Sequence, residues 1–302
     1  MPERQFEPMT VGQILDQTFR LYKRNFLRFV AIVAVVQVPL ALISMLLLVP
    51  VATNAGFQQQ QAGIPGSAEW MVSDDYGQAG NTVSDPDLPF GAIFLGGFVA
   101  GLIWWLAATL SNAALIKSVS ESYLGREATV GEAYRFVLPK LWRLLWAGIM
   151  VAVIVSIGFL LLIVPGVIFA IYFALTTQAI VVEDVSAKGG MSRSKELASG
   201  NKGKVCGLLV LVTIIGAIIG WIFGAAGEAL GFLLPAQSEM TAMVISQSSS
   251  LIGQVLAAPI GAAAMILLYY DLRIRKEGFD LEMLAKSLGS SPTATVSNAS
   301  EL

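Results

Sequence analysis

Leu144–Val182, reading LLWAGIMVAVIVSIGFLLLIVPGVIFAIYFALTTQAIVV, runs for 39 residues without an Asp, Glu, Lys or Arg. As one straight helix it would be about 58 Å long, nearly twice the ~30 Å hydrocarbon core of a bilayer. It must therefore fold back on itself. The reversal is expected around Val164-Pro165-Gly166-Val167, because Pro favours the first corner of a turn and Gly the next. Pro165 also suits the first turn of the second helix, where no backbone donor is lost. Arg135, Lys140 and Arg143 precede the stretch, and Glu183, Asp184, Lys188 and Arg193 follow it. The pattern predicts a transmembrane helical hairpin with both ends on one side of a membrane.

Composition points the same way. The chain has 302 residues, 55% of them hydrophobic and 13% charged, with a mean hydropathy of +0.70. Soluble domains carry about 25% charged residues. A net charge of −2 gives no reason to expect nucleic acid as a partner. The chain has no histidine and a single cysteine, Cys206. That excludes disulfides within the chain and metal sites built on His or on several Cys. No secretory signal core is expected, since the first apolar run, Phe29–Val51, is too long and starts too late.

Working outward, Thr10-Val-Gly-Gln13 reads as a capping box that opens a helix. That helix carries Val11, Ile14, Leu15, Thr18, Tyr22 and Phe26 along one side. Gln13, Asp16, Gln17, Arg20, Lys23 and Arg24 lie on the other. It is expected to lie in the membrane interface, apolar face in lipid and basic face in water. Span one is about 29–51, with Gln37 and Pro39 near its middle. Residues 52–89 hold Gln58–Gln61 and five acids but no Lys or Arg, and are expected to form an extracytoplasmic acidic loop. EF-hand spacing is absent there, so calcium is not expected. Span two is about 90–115, runs on as helix to Tyr123 and is stopped by Gly125. Its Gly97 and Gly101 form a small-xxx-small motif suited to close helix packing. Thr129-Val-Gly-Glu132 is a second capping box, leading into spans three and four. Gly200 is expected to end the next connector's helix. Span five, about 205–224, has glycines at 216, 220 and 224, a strong packing signal. Span six, about 251–270, runs into a short amphipathic segment ending near Leu288. The membrane domain thus covers 1–288, and 289–302, rich in Ser, Thr and Ala, is expected to be a disordered cytoplasmic tail.

Counting bases sets the topology. Five lie before span one, five between spans two and three, five between four and five, and four after span six, which accounts for all 19. None falls in the alternate connections. The positive-inside rule then predicts six spans with both termini cytoplasmic. Trp142, Trp146, Tyr269 and Tyr270 stand where interface anchors belong. An internal repeat agrees: Thr10-Val-Gly-Gln followed by Leu-Leu-Leu-Val-Pro50 is matched by Thr129-Val-Gly-Glu followed by Leu-Leu-Ile-Val-Pro165. A looser third copy starts at Ser186. The fold class expected is therefore all-α and polytopic, six transmembrane helices as three hairpins with cytoplasmic amphipathic lead-in helices.

Chemistry has few places to sit. No span carries an ionisable residue in its middle, as a proton relay would need. Without His, a Ser-His-Asp triad and zinc protease motifs are impossible. Gly200-Asn-Lys-Gly-Lys204 is only superficially a phosphate loop, because Val205 replaces the magnesium-binding Ser or Thr. Gln37, Asn112 and Gln178 are the candidate intramembrane polar residues, with hydrogen bonding between helices as their ordinary role. The charged rim has 19 basic and 14 acidic residues, net +5. Its Arg20, Lys23, Arg24, Arg193, Arg273 and Arg275 are candidate contacts for lipid head groups or a partner. Glu183, Asp184 and Asp271 are expected to pair with Arg193, Lys195, Arg273 or Arg275.

The segment Leu267-Leu-Tyr-Tyr-Asp-Leu-Arg-Ile-Arg-Lys-Glu-Gly-Phe-Asp-Leu281 resembles the ending of the glycerophosphoryl diester phosphodiesterase membrane-domain family, related to the YciC-like bacterial membrane proteins. The opening Thr10-Val-Gly-Gln-Ile-Leu-Asp-Gln-Thr-Phe-Arg-Leu-Tyr-Lys-Arg-Asn-Phe26 is similar to that family too, as is Pro165-Gly166…Glu183…Ser192-Arg-Ser194. The resemblance implies a multi-pass membrane domain and brings no catalytic residue to this chain. The chemistry behind that name uses paired His and metal-binding carboxylates on a soluble barrel, and this chain has no histidine and no segment able to form such a barrel. The expectation is a non-enzymatic scaffold or lipid-interacting membrane protein without cofactor. Its partners would be membrane lipids, a protein partner or a second copy of the chain. A transporter or channel for a small or amphiphilic substrate is the alternative.

Overall fold

The computed structural model describes residues 9–62, 90–233 and 239–277, and among these every regular element is helical. The helices are α1 (Val11–Arg24), α2 (Phe26–Ala62), α3 (Phe90–Tyr123), α4 (Val130–Val137), α5 (Leu141–Leu161), α6 (Ile163–Phe173), α7 (Thr176–Glu183), α8 (Ala187–Ala198), α9 (Lys202–Leu233) and α10 (Glu239–Glu277). Six stretches are long and apolar enough to cross a bilayer: Phe26–Met45, Phe94–Tyr123, Val130–Leu161, Ile163–Glu183, Lys202–Leu233 and Thr241–Lys276.

The chain divides into two compact units. One comprises Met1–Arg24, Trp142–Val212 and Ile260–Leu302, the other Asn25–Leu141 and Thr213–Pro259. In the first, the second half of α10 is buried on every side, from Ile260 through Ala262–Leu268 to Leu272. A helix that is apolar all round belongs inside. Buried side chains of the same unit come from α1 (Ile14, Leu21), α7 (Ala179, Ile180, Val181), α8 (Met191, Leu197, Ala198) and α9 (Val205, Leu208). In the second unit α2, α3 and α4 pack together, burying Phe29, Ile32 and Val33, Ala113–Ile116 and Val119, and Ala133 and Val137. The outer faces are apolar and uncovered, as with Phe94, Leu95 and Phe98 on α3 or Leu160–Val164 between α5 and α6. A soluble monomer does not expose continuous apolar surface of this kind, and lipid is its natural cover.

Both sequence-read capping boxes form, with matching geometry. Gln13 N–H donates to Thr10 Oγ1 at 3.3 Å and Glu132 N–H to Thr129 Oγ1 at 3.3 Å. The reciprocal bonds, Thr10 N–H to Gln13 Oε1 and Thr129 N–H to Glu132 Oε2, are 2.7 and 2.8 Å. Ser186 opens α8 in the same manner, accepting from Gly189 N–H at 3.2 Å. Each of the three lead-in helices, α1, α4 and α8, thus begins on a hydroxyl cap and precedes two spans. Gly125 (φ +82°) and Gly200 (φ +87°) end their helices in the left-handed conformation that glycine adopts without strain.

Several expectations need correction. The reversal between spans three and four falls at the extended residue Leu162, and Pro165 sits in the first turn of α6. Glycines four residues either side of that corner let the two helices touch: a Cβ at Gly158 would lie 2.9 Å from Gly166 Cα. α2 continues to Ala62, so residues 52–62 of the expected acidic loop are helical, while 63–89 lie outside the described residues. The expected segment to Leu288 and the tail 289–302 also lie outside them. Among the described residues nothing approaches within 4 Å of a Cβ built at Gly97, Gly101, Gly216, Gly220 or Gly224, so there the glycine motifs face open space. The close approaches use Gly190, on Ile180 and Thr176, and Gly227 and Gly253, on Ser249 and Phe223. Of the expected apolar stripe on α1, Ile14 and Thr18 are buried in protein instead of lipid, together with Leu21 from outside the stripe, while Val11, Leu15 and Tyr22 are half-buried. Trp142 and Trp146 are exposed, as interface anchors should be, but Tyr269 and Tyr270 are buried, with rings edge to face at 5.6 Å.

Candidate functional site

Three ion pairs close the three hairpins, each joining a base where the first span begins to an acid where the second ends. Arg28 meets Glu127 at 3.1 Å, Arg143 meets Asp184 at 3.0 Å, and Lys204 meets Asp271. The first is a surface pair, with the Glu127 side chain 82% exposed, and contributes little. The third is buried. Asp271 lies within α10 with its side chain wholly covered, and Lys204 is 13% exposed.

Around Asp271 the donors are nearly complete. Its Oδ1 accepts the Met9 N–H at 2.6 Å, and its Oδ2 accepts Lys204 Nζ and, at 3.0 Å, Arg275 Nε. Lys204 Nζ and Arg275 both donate to the Met9 carbonyl as well, the latter at 3.0 Å. One carboxylate therefore ties Met9, two residues before α1, to the start of α9 and the end of α10. Arg275 reaches it because i and i+4 share a helix face.

A second node is built on Glu183, the last residue of α7. Arg193 Nε donates to both its oxygens, at 2.9 and 3.0 Å, Tyr269 donates its hydroxyl to Oε1, and Arg273 Nε lies 3.9 Å from that oxygen. Arg193 continues to Glu196 at 3.1 Å, and Lys276 donates to the Glu196 carbonyl. A charge pair away from water is tolerable when hydrogen bonds satisfy both partners, and these do.

Span four is interrupted close by. α6 ends at Phe173 and α7 starts at Thr176, which frees backbone groups within the span. Ser194 of α8 repairs the gap: its Oγ accepts the Leu175 N–H at 3.0 Å and donates to the Tyr172 carbonyl at 2.7 Å. Irregular backbone in a membrane persists where such protein groups satisfy it.

The sequence-read candidates divide accordingly. Arg193 and Arg273 meet Glu183 and Arg275 meets Asp271, as the charge pattern suggested, while Lys195 is not in that network and Asp184 pairs instead with Arg143, outside the expected set. Arg20, Lys23 and Arg24 are exposed on α1. Gln178 is buried in α7, and among the described residues its Oε1 has no partner. Gln37, in the other unit, likewise has a buried Oε1 without a partner. Asn112 is exposed on α3 beside the buried Ser111. Sequence reasoning missed Met9, Lys204 and Ser194 as members of the site. A main-chain group and a serine carry no charge signal, and Lys204 was one base among many in its connector.

The fold and its lipid-facing surface make this chain an all-α polytopic membrane protein. More particularly, residues 88–272 match a family described as a domain of unknown function, DUF7847, and the chain belongs to that family. The match takes in Glu183, Arg193, Lys204 and Asp271 but not Met9 or Arg275. No curated protein and no solved structure matches the chain.

Proposed function

We propose that the protein is a non-enzymatic scaffold of a bacterial inner membrane, termini cytoplasmic, whose charged end engages anionic lipid head groups. The observation that carries this reading is on α1. Ile14, Thr18 and Leu21 are buried in protein, Met9 ahead of the helix donates to Asp271, and Arg20, Lys23 and Arg24 stand exposed. Each base near an anionic leaflet adds about 1 kcal/mol of attraction, so three together make roughly a hundredfold preference. The segregation of all 19 bases to alternate connections supports the orientation. A chain without histidine, and without an ionisable side chain in the middle of a span, supports a non-catalytic role. The likeness of both chain ends to the glycerophosphoryl diester phosphodiesterase membrane domain belongs to the same proposal, as kinship of membrane architecture and not of hydrolysis.

The test is native mass spectrometry of wild type and of Arg20→Gln/Lys23→Gln/Arg24→Gln, each titrated with phosphatidylglycerol and with phosphatidylcholine. The triple variant should lose its preference for the anionic lipid. An unchanged preference in a folded triple variant defeats the reading.

One observation favours transport instead. Broken helices line substrate sites in many transporters, and span four is broken next to the unpartnered Gln178. Uptake into vesicles that fails in Gln178→Ala, with folding intact, would favour that role.

A further inference from the structure

In α8 and α9 the bases two residues apart are used differently. Arg193 and Lys204 turn to the carboxylates Glu183 and Asp271. Lys195 and Lys202 turn instead to one aromatic ring. The Nζ of Lys202 lies 4.7 Å and that of Lys195 6.0 Å from the ring centre of Tyr172, near the end of α6. Among the described residues neither lysine makes an ion pair, although most bases around them do. Both are exposed and Tyr172 is half-buried. Three helices thus hold two like charges at one face of the unit, oriented by a ring and neutralised by no side chain.

We infer that Lys195, Lys202 and Tyr172 form a seat for a single anionic phospholipid head group, distinct from the basic face of α1. The inference rests on the reading above that this end of the helices meets an anionic leaflet. A lipid phosphate between the ammonium groups relieves their repulsion. A tyrosine at head-group depth, apolar body in lipid and hydroxyl in water, is the usual companion of such a phosphate. Cation–π attraction prepositions the lysines, so less freedom is lost when the phosphate arrives.

The test is the same titration with phosphatidylglycerol, carried out on Lys195→Gln/Lys202→Gln. Affinity for the tightest-bound lipid should fall about fivefold per lysine, about 25-fold for the pair. Lys195→Arg/Lys202→Arg and Tyr172→Phe should retain it, Tyr172→Leu should weaken it, and Lys188→Gln on the same helix should leave it unchanged. If the double variant does not fold, Lys202→Gln alone, expected at about fivefold, decides. Wild-type affinity in the folded variant overturns the site, as does displacement of the lipid by millimolar inorganic phosphate, which would mark a soluble-phosphate site. A loss confined to the α1 triple variant defeats this site and leaves the broader reading standing. A loss confined to Lys195→Gln/Lys202→Gln supports this seat and defeats only the contact assigned to α1.

Discussion

Replacing Asp271 by Asn is the sharpest probe of how this fold is held at its charged end. The change keeps the shape and removes the charge from a side chain with no exposure that accepts from Met9 N–H, Lys204 and Arg275. Lys204, 13% exposed, would then be a buried ammonium without its carboxylate, and Asn offers one accepting oxygen where the carboxylate offers two. Breaking a buried pair from one side costs about 3–5 kcal/mol. Arg275, 35% exposed, can turn to water and soften the loss, so about 3 kcal/mol is expected. The assay is reversible unfolding in mixed micelles, followed by tryptophan fluorescence, for wild type, Asp271→Asn and the cycle of Asp271→Leu, Lys204→Met and Asp271→Leu/Lys204→Met. The doubly apolar variant should recover most of the loss, because no charge is then left buried. The coupling term of the cycle should exceed about 1 kcal/mol. An Asp271→Asn protein within about 0.5 kcal/mol of wild type, or losses that simply add, would refute the reasoning.

Other consequences can be measured alongside. Ser194→Ala removes the hydroxyl that accepts the Leu175 N–H and should destabilise by about 1–3 kcal/mol; hydrogen exchange at Leu175 should quicken, and unchanged protection would refute the bridge. Gly190→Ala would set a methyl 2.5 Å from Ile180 Cγ1 and 3.2 Å from the Thr176 carbonyl, an overpacking of about 1–3 kcal/mol. Gly220→Ala, built into open space, should be neutral or stabilising by up to about 1 kcal/mol through helix propensity; a clear loss would mean that something covers the stripe. Thr129→Ala should cost about 1 kcal/mol through the lost cap on Glu132 N–H, read in the same unfolding assay. On a Cys206→Ser background, Arg126→Cys and Lys195→Cys should resist an impermeant thiol reagent added outside intact cells while Asp75→Cys reacts, and the opposite pattern overturns the orientation.

Much of this protein is legible without coordinates, for a physical reason. A bilayer core about 30 Å thick and empty of water turns length, apolarity and the placing of charge into structure directly. That is why spans, capping boxes, the stops at Gly125 and Gly200, and Arg193 and Arg275 as partners of Glu183 and Asp271, could be read from the chain. Which helix lies inside could not be. The six spans are similarly apolar, and only packing distinguishes the enclosed half of α10 from the lipid-facing α3. Glycine spacing likewise permits close approach without naming a neighbour, so the motifs at 97–101 and 216–224 stand open while Gly158, Gly166, Gly190 and Gly253 make the contacts. The charged end divides in the same way. Sequence determined that bases and acids gather there, since water is the only solvent that accepts them. Tertiary structure alone decided that Arg193 and Lys204 are spent on buried carboxylates while Lys195 and Lys202 face a ring, because helix phase and the crossing of separate helices are set by packing and not by any local run of residues.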